Sequence, residues 1–366
     1  MEVDFLVENI ERFLPLLNKT LPSHSQVPVL SNLLLEANED GFFIFATDLE
    51  LGVKIKIPAK IIKNGAITVP GKQFIEVLNS LPKDKVSLIV EKETLFVKSR
   101  DNSVTFQTIS REEFPSIIDQ KGDKVGEFSE EEMKSTFQKI IFAASLDESR
   151  PELTGILLSQ KQEGVDFVAT DGFRLSIKTI YGKKILQTGE RIIISSRLIN
   201  EAMLLGGSLV KMYVYGKGNQ VVFEDADATI VGRLINGEFP SYEKVIPRDT
   251  KVSAIIDAQD FLQKLKLASV FARESANIVK IKIKSGKIEL LSKSSGLGEG
   301  NIFLDAQTKG GEGEISFNAK FLNDLLRNLG AKSIEVSINS AVEPASFKTE
   351  EDEGFVHIIM PIKIQD

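Results

Sequence analysis

Apolar residues recur along the chain with two different periods, which predict an alternation of helices and strands. Three longer segments place apolar side chains at three-to-four spacing, as amphipathic helices do: VENIERFLPLLNKT, SEEEMKSTFQKIIFAAS and DAQDFLQKLKLASVFAR. Pro15 lies inside the first and predicts a kink or a late helix start, because its ring cannot continue the hydrogen-bond ladder. The segment KVSLIVEKETLFVKSRDNSVTFQTI instead alternates with period two, which indicates strands with one buried and one solvated face.

Three landmarks recur at nearly the same interval, which indicates an internal repeat. Steps of 124 and 123 residues separate the leading apolar residues of a second, shorter helix, Phe74, Leu198 and Phe321. Steps of 123 and 122 separate the ends of an alternating strand, Thr47, Thr170 and Ser292. Steps of 125 and 121 separate the prolines that follow a strand, Pro115, Pro240 and Pro361. Because one third of 366 is 122, three copies of one unit fill the chain.

Each copy is predicted to be an α+β unit, with two helices on one face of an antiparallel sheet of about eight short strands. Tight turns between the strands are predicted at Asp101-Asn102, Gly218-Asn219 and Asp225. The predicted domains are residues 1–123, 124–250 and 251–366. Serial copies form an arc, and an arc that dimerises with closed symmetry becomes a ring.

Composition narrows the classes of protein. The chain has no cysteine, which excludes disulfides, thiolate zinc sites and cysteine nucleophiles. No apolar run approaches the ~20 residues of a membrane helix, and the acidic start MEVDFLVENIERF lacks the basic region of a signal peptide. We therefore expect a cytoplasmic protein without membrane contact.

The distribution of charge leaves room for a local basic surface. The net charge is −7, which disfavours a wholly basic nucleic-acid coat. The six candidate helices carry twelve basic and ten acidic residues, a sum of +2, so the rest of the chain carries −9. These helices span 8–20, 72–81, 129–145, 195–206, 257–273 and 319–332. Mixed charge is usual on surface helices, so this excess alone decides nothing.

Signals for catalysis are weak. The only histidines are His24 and His357, too few for a triad or a histidine-rich metal site. Neither a phosphate-binding loop nor a dinucleotide-binding glycine motif occurs. Asp48 and Asp171 stand in a repeated ATD, but at matching positions of two repeats, so a structural role at a strand–turn junction is favoured. The sequence predicts no catalytic residue, cofactor or metal, and a hydrolase that uses acidic residues is the least favoured hypothesis.

Several segments resemble the bacterial DNA polymerase III beta subunit family, the sliding clamps, in order over the whole chain. VATDGFRLS, SRPELTGILL and GEFPSYEKVIP resemble its central domain. PVLSNLLLEA, ATDLEL and EEFPSI resemble its first domain, and FNAKFLNDLLRNL and HIIMPIKI its third.

The resemblance implies a non-enzymatic processivity factor. It would be a homodimeric ring of six clamp domains around double-stranded DNA, placed there by an ATP-driven clamp loader. It would tether the replicative polymerase and other proteins with a clamp-binding motif. DNA contacts would be independent of base sequence and carried by cations of the inner helices: Arg12, Lys72, Lys134, Lys139, Arg197, Lys264, Lys320 and Arg327. The dimer interface would include Val104, Phe106, Val270 and Phe271.

The resemblance also implies one apolar pocket between the second and third domains that binds a linear peptide with a glutamine followed by spaced leucine and phenylalanine. Carried over by motif, its walls are Leu153, Thr170, Gly172, Phe173, Arg174, Leu175, Pro240, Lys244, Val245, Val342, Pro344, Ile358, Ile359, Met360, Pro361 and Ile362. This sequence departs from well-known members at Phe173, where they carry histidine, and at Lys244, where they often carry arginine. His24 stands in a loop where some members place a basic DNA-contacting residue.

The alternative from another class is a three-repeat scaffold that binds peptides without encircling DNA. Retention on circular but not on linear DNA distinguishes the two hypotheses, because only a ring is held topologically.

Overall fold

The computed structural model describes residues 1–117, 121–216, 219–274 and 276–363. In the first repeat the strands are β1 (Glu2–Leu6), β2 (Asn32–Asn38), β3 (Gly41–Thr47), β4 (Leu51–Ile57), β5 (Ala59–Lys63), β6 (Gly65–Pro70), β7 (Lys85–Glu91), β8 (Thr94–Ser99) and β9 (Asn102–Gln107). Its helices are α1 (Glu8–Glu11), α2 (Leu14–Thr20) and α3 (Gly71–Ser80).

The second and third repeats follow a similar order of elements, although the second has one strand fewer before its second helix. The second has the strands β10 (Asp123–Ser129), β11 (Gly155–Gln160), β12 (Gly164–Thr170), β13 (Arg174–Tyr181), β14 (Arg191–Ser195), β15 (Leu209–Tyr215), β16 (Gln220–Glu224) and β17 (Ala228–Arg233), with α4 (Glu130–Met133) and α5 (Ser196–Ala202). The third has β18 (Val252–Asp257), β19 (Ile278–Lys284), β20 (Lys287–Ser294), β21 (Gly298–Asp305), β22 (Gln307–Gly310), β23 (Gly313–Asn318), β24 (Ser333–Ile338), β25 (Ala345–Lys348) and β26 (Phe355–Ile359), with α6 (Ala258–Ala272) and α7 (Ala319–Asn328).

The chain divides into two compact units that cut across the three repeats. The first unit comprises Met1–Glu131 and Arg197–Leu234, and the second comprises Glu132–Ser196 and Ile235–Asp366. The first unit contains a five-stranded sheet, ordered β5-β1-β7-β8-β9, and an eight-stranded sheet, ordered β10-β15-β16-β17-β4-β3-β2-β6. The second unit contains a nine-stranded sheet, ordered β14-β11-β12-β13-β26-β25-β24-β18-β22, and a four-stranded sheet, ordered β21-β20-β19-β23.

Each of the two largest sheets combines strands of two consecutive repeats, and the same pairing of strands joins them in both sheets. In the first unit β17, the last strand of its repeat, pairs antiparallel with β4, the fourth strand of the preceding repeat. In the second unit β26 pairs with β13 in the same way. Along the described chain, β9 pairs only with β8 and β21 only with β20, so each of these strands keeps one open edge.

The structure confirms three repeated α+β units and adds features that the sequence pattern missed. A strand, β1, β10 or β18, precedes the first helix of each repeat. The strands of each repeat are also divided between two sheets, where the pattern predicted one. Alternation reports which face of a strand is buried but not which strand is its neighbour, so it could not reveal this division.

The first helices of the repeats differ more than the pattern predicted. Pro15 causes a late start, as expected, because α1 ends at Glu11 and α2 begins at Leu14 with the proline in its first turn. The helix expected over 129–145 is instead α4, followed by a π-helical turn over Lys134–Gln138. In that turn the ring of Phe137 is fully buried, 5.2 Å from the ring of Phe167, so core packing overrides helical continuity.

The helices of the third repeat begin at side-chain caps. The Asp257 carboxylate accepts a hydrogen bond of 2.7 Å from the amide of Asp260 and caps α6. The amide oxygen of Asn318 accepts one of 2.9 Å from Lys320 and caps α7. Apolar side chains of both helices then enter one core with the sheets of the second unit: Phe261, Leu265, Ala268, Leu322, Leu325 and Leu326.

Two of the predicted turns can be followed in the structure. Asn102 begins β9 directly after a turn in which Arg100 has a φ of 50°. The Asp225 carboxylate accepts hydrogen bonds from the amides of Asp227 and Ala228 and closes the turn before β17. Gly218 of the third predicted turn lies outside the described residues. None of the helices found in the described ranges has the length and apolar content that a bilayer crossing requires.

Candidate peptide-binding site

The second unit contains an apolar cavity of about 230 Å³. It lies where β13 begins, beside the end of β26. Its walls are Arg150, Leu153, Thr170, Gly172, Phe173, Arg174, Leu175, Pro240, Ser241, Tyr242, Val245, Ile358 and Met360.

The turn between β12 and β13 forms one wall and is held by its own side chains. The Thr170 hydroxyl donates to the Arg174 carbonyl at 2.6 Å and accepts from the Gly172 amide at 3.1 Å. The Asp171 carboxylate accepts from the amides of Phe173 and Arg174 at 2.9 and 3.0 Å. Gly172 has a φ of +90°, a left-handed conformation that glycine adopts without a steric penalty.

The first repeat builds the same turn between β3 and β4. The Thr47 hydroxyl donates to the Leu51 carbonyl, and the Asp48 carboxylate accepts from the amides of Glu50 and Leu51. Leu49 takes the left-handed position there, with a φ of 78°. The two aspartates therefore have the structural role predicted for them. In the third repeat the matching acceptor is Ser294, two residues after the position that the repeat steps selected.

Arg174 is buried in the wall and is bound on several sides. Its Nε donates to Asp171 at 2.9 Å, and its Nη1 donates to Asp324 of α7 at 2.7 Å. Its guanidinium carbon lies 4.7 Å from the centre of the Phe321 ring and 5.5 Å from that of Phe142. Two hydrogen bonds and two rings fix the orientation of this side chain.

The end of β26 supplies the opposite wall. Leu175 and Ile358 are paired across β13 and β26, and both are buried. The Met360 amide donates to the Phe173 carbonyl at 2.9 Å, which ties the end of β26 to the turn. The side chains of Phe173 and Met360 remain exposed by 62% and 38% and form an apolar rim.

The segment after β17 forms the floor of the cavity. Tyr242 is buried, and its hydroxyl donates to the Asp166 carboxylate at 2.8 Å. Burial, together with the charges of Asp166 and Glu243, raises the pKa of Tyr242 above its usual range, so the hydroxyl stays protonated. A preformed apolar cavity with few polar groups and an apolar rim suits a short linear peptide anchored by apolar side chains.

Ten of the residues that the sequence assigned to a pocket line this cavity. They are Leu153, Thr170, Gly172, Phe173, Arg174, Leu175, Pro240, Val245, Ile358 and Met360. Arg150, Ser241 and Tyr242 also line it and were missed. Ser241 and Tyr242 directly follow Pro240 in the GEFPSY segment, so the sequence contained a signal for them.

Six assigned residues lie outside the cavity walls. Ile359 is fully buried in the core around α6 and α7, because alternate residues of β26 face opposite sides of the sheet and Ile358 takes the cavity side. Lys244 is exposed on a short turn and Val342 on a loop, while Pro344, Pro361 and Ile362 are half-buried. The Ile362 amide donates instead to the Ser316 carbonyl at 2.8 Å.

The predicted DNA-facing cations have unequal surroundings. Lys72 on α3 and Lys320 and Arg327 on α7 are exposed, Lys264 on α6 is half-buried, and Lys134 is exposed on the π-helical turn. Arg12 and Arg197 are exposed but bind Asp227 and Asp48. The Lys139 ammonium donates to Asp352 at 2.6 Å, and its side chain is only 15% exposed, so Lys139 does not offer a free charge to a ligand.

The predicted interface residues also differ in exposure and packing. Val270 of α6 is 49% exposed, and Phe271 packs against Gly298 and Gly300 of the open edge strand β21. Val104 is half-buried on the open edge strand β9. Phe106 is buried, and its ring stands edge-on to that of Phe74 at 6.0 Å, so it also belongs to the core of the first repeat.

The two histidines have different surroundings. His24 is exposed in a loop. His357 is fully buried, and its Nδ1 lies 2.6 Å from the Ser176 hydroxyl. Burial, followed by the charge of Arg174, lowers the pKa of His357 to about 3, so this imidazole stays neutral at physiological pH. Because solvent does not reach it, His357 is a core residue.

Comparison with protein-family models finds three matches in series. Residues 3–118 match the N-terminal domain of the DNA polymerase III beta subunit, residues 127–241 its central domain and residues 243–363 its C-terminal domain.

Individual relatives and solved structures agree. A beta sliding clamp of Synechococcus elongatus is 27% identical over 363 residues, with 96% of each chain covered. The crystal structure of the DNA polymerase III beta subunit of Thermotoga maritima is 26% identical, covers all of both chains and has a TM-score of 0.91. A Pseudomonas aeruginosa sliding clamp, solved bound to griselimycin, shares the fold at 22% identity with a TM-score of 0.93 and full coverage of both chains.

Proposed function

The chain belongs to the DNA polymerase III beta subunit family, and from this membership we propose that it is a sliding clamp, the processivity factor of a bacterial replicative polymerase. Three family models in series, covering nearly the whole chain, are the observation that carries this conclusion. In this role the protein is an accessory subunit without catalysis of its own, acting on DNA in the cytoplasm. The predicted domain boundaries after residues 123 and 250 remain a proposal.

We propose that two copies close head to tail into a ring. The joining rule seen twice inside the chain pairs the last strand of one repeat with the fourth strand of the preceding repeat. Applied once more, it pairs β9 of one copy with β21 of the other, two strands that each keep an open edge. The exposed Val270 beside β21 supports this interface, because apolar side chains next to an open edge favour association.

DNA contacts are proposed for the exposed cations of the helices. Among the described residues, Lys72, Lys320 and Arg327 have no carboxylate within salt-bridge distance, so their charge is available to phosphates. Arg12, Arg197 and Lys264 contribute to the local potential, and Lys134 extends it, whereas Lys139 is engaged by Asp352. Contacts of this kind read the DNA backbone and carry no base specificity.

Replacing Lys72, Lys320 and Arg327 together with alanine is expected to weaken binding to open DNA. Each lost phosphate contact should lower the slope of log affinity against log salt by about 1, because fewer counterions are released. Titration of a fluorescent duplex over a range of salt concentrations measures this slope. A control with Lys63, Lys287 and Lys309 of the strands replaced by alanine should keep the wild-type slope. Equal slopes for both variants would assign the contacts to other residues.

The ring itself has a separate test. Once loaded by a clamp loader, the protein should stay on nicked circular DNA through a gel-filtration column in high salt. It should be lost when the circle is linearised, because topology rather than contact energy holds it. Equal retention on the two DNA forms would contradict encirclement and favour the scaffold hypothesis.

The cavity is proposed as the docking site for the polymerase, the clamp loader and other proteins with a clamp-binding segment. Leu153, Leu175, Pro240, Val245 and Ile358 supply its apolar walls. Linear peptides that share such a site compete for it, so polymerase and loader would engage each copy in turn.

A further inference from the structure

We propose that α7 takes part in partner recognition: Asp324 and Phe321 are positioning residues that hold the Arg174 guanidinium in the cavity wall, where it selects a neutral hydrogen-bond acceptor of the bound peptide over a carboxylate. This proposal rests on the proposed function, because it requires a peptide in the cavity.

The first support is geometric. Arg174 leaves the turn between β12 and β13, but half of its fixing contacts come from a helix about 150 residues further along the chain. Asp324 binds Nη1 at 2.7 Å, and the Phe321 ring lies 4.7 Å from the guanidinium carbon. Because a guanidinium is planar and rigid, two hydrogen bonds and a ring contact determine the direction of its remaining N–H groups.

The second support is an unused donor. Nε and Nη1 donate to carboxylates, whereas Nη2 makes no hydrogen bond to the parts of the chain that the structure describes. Arg174 is 8% exposed and lines the cavity, and its Nη2 is not fully buried, so a ligand in the cavity can reach this nitrogen. A peptide that fills the cavity would remove this nitrogen from solvent, and a peptide oxygen would then satisfy a donor that is costly to leave unpaired.

The third support is the charge of the group. Asp171 and Asp324 place two negative charges against the single positive charge of Arg174, so the three side chains sum to −1. The charge of Arg150, the other cation of the cavity wall, is offset by the Asp147 carboxylate, which lies 4.0 Å from its Nε. A peptide carboxylate near Nη2 would meet this net negative charge in a poorly solvated site, whereas a carbonyl or amide oxygen would not. The site therefore selects by repelling the wrong ligand as well as by binding the right one.

The test uses the full-length protein and a set of synthetic peptides. The parent is a neutral peptide with a glutamine followed by spaced leucine and phenylalanine. In the other peptides glutamate stands at one position at a time. For wild type, calorimetry should find one position at which glutamate weakens binding by about tenfold, the order expected for a partly desolvated charge repulsion. In Asp324→Asn the penalty at that position should fall at least threefold, while the parent peptide binds several-fold more weakly.

Two further variants separate positioning from general stability. Phe321→Leu keeps Asp324 and its charge but removes the ring, so it should weaken the parent peptide and leave the glutamate penalty in place. Asn328→Ala alters the same helix away from the guanidinium, since the Asn328 amide donates to the backbone carbonyl of Asp324 at 2.8 Å, and should bind as wild type does. Thermal denaturation of each variant confirms folding.

The outcomes are distinguishable. If wild type binds no peptide of the set, the proposed function fails. If wild type binds but Asp324→Asn keeps both the affinity and the glutamate penalty, the role of α7 is wrong. If Asp324→Asn loses affinity with an unchanged penalty, the aspartate is merely structural, and that result also overturns the proposal.

Discussion

Met360→Ala is expected to reduce the affinity for a clamp-binding peptide by roughly thirtyfold, which corresponds to a hot spot of about 2 kcal/mol. The Met360 side chain lines the cavity and is partly exposed at its rim, so its truncation removes contact area without opening the core. Calorimetric titration of a peptide with a glutamine followed by spaced leucine and phenylalanine into both proteins measures the loss.

Val342→Ala is the matched control for this experiment. Val342 was assigned to the pocket from the sequence, yet it lies exposed on a loop outside the cavity walls, so its truncation should leave affinity unchanged.

Deleting Met360 to Asp366, of which residues 364–366 lie outside the described residues, should abolish polymerase stimulation while the dimer persists. Equal binding by wild type and Met360→Ala would refute the site even if the fold is right.

Combining Val104→Glu with Val270→Glu is expected to convert the dimer into soluble monomers. The first change places a charge on the open strand β9 and the second places one beside the open strand β21, so both sides of the proposed interface would bury an unpaired carboxylate. Val104 is preferred to Phe106 for the first change, because Phe106 packs on Phe74 and a charge there would also damage the first repeat. Sedimentation velocity at micromolar concentration measures the change.

Ile62→Glu provides the control. Ile62 is as exposed as Val270, but it lies on β5, at the opposite edge of the sheet that contains β9. This variant should remain dimeric. A double variant that still sediments as a dimer, or a wild type that is monomeric under the same conditions, would contradict the proposed pairing of β9 with β21.

The sequence predicted those parts of the site that depend on local chemistry. The turn from Thr170 to Arg174 could be placed because threonine, aspartate and glycine favour such a turn by hydrogen bonds to their own neighbours. Leu175 and Ile358 could be placed because they stand in segments that resemble those of the family. The three repeats were visible because the spacing of landmarks survives where residue identity does not.

The remaining features depend on tertiary packing. Nothing in the sequence near Arg174 points to Asp324, because their contact joins segments about 150 residues apart. The sequence predicts Lys139 as a free helix cation, whereas the folded chain pairs it with Asp352, over 200 residues away. Ile359 was carried over to the pocket by motif but lies on the core side of β26, and a strand buried on both faces lacks the alternation that would separate its two sides. The split of the strands between two sheets was hidden because alternation does not tell which strand is the neighbour of another.

The unlike open edges β9 and β21 give the proposed dimer two equal joints, one at each end of every copy. If one joint breaks, its two strands stay tethered through the other, so they face each other at a high effective concentration and close again faster than free copies could meet. A closed circle of this kind can admit a DNA duplex through one gap without ever falling apart into two particles. Its lifetime on DNA is then governed by the opening rate of a single joint. Dissociation of the dimer, in contrast, requires both joints to be open at the same time.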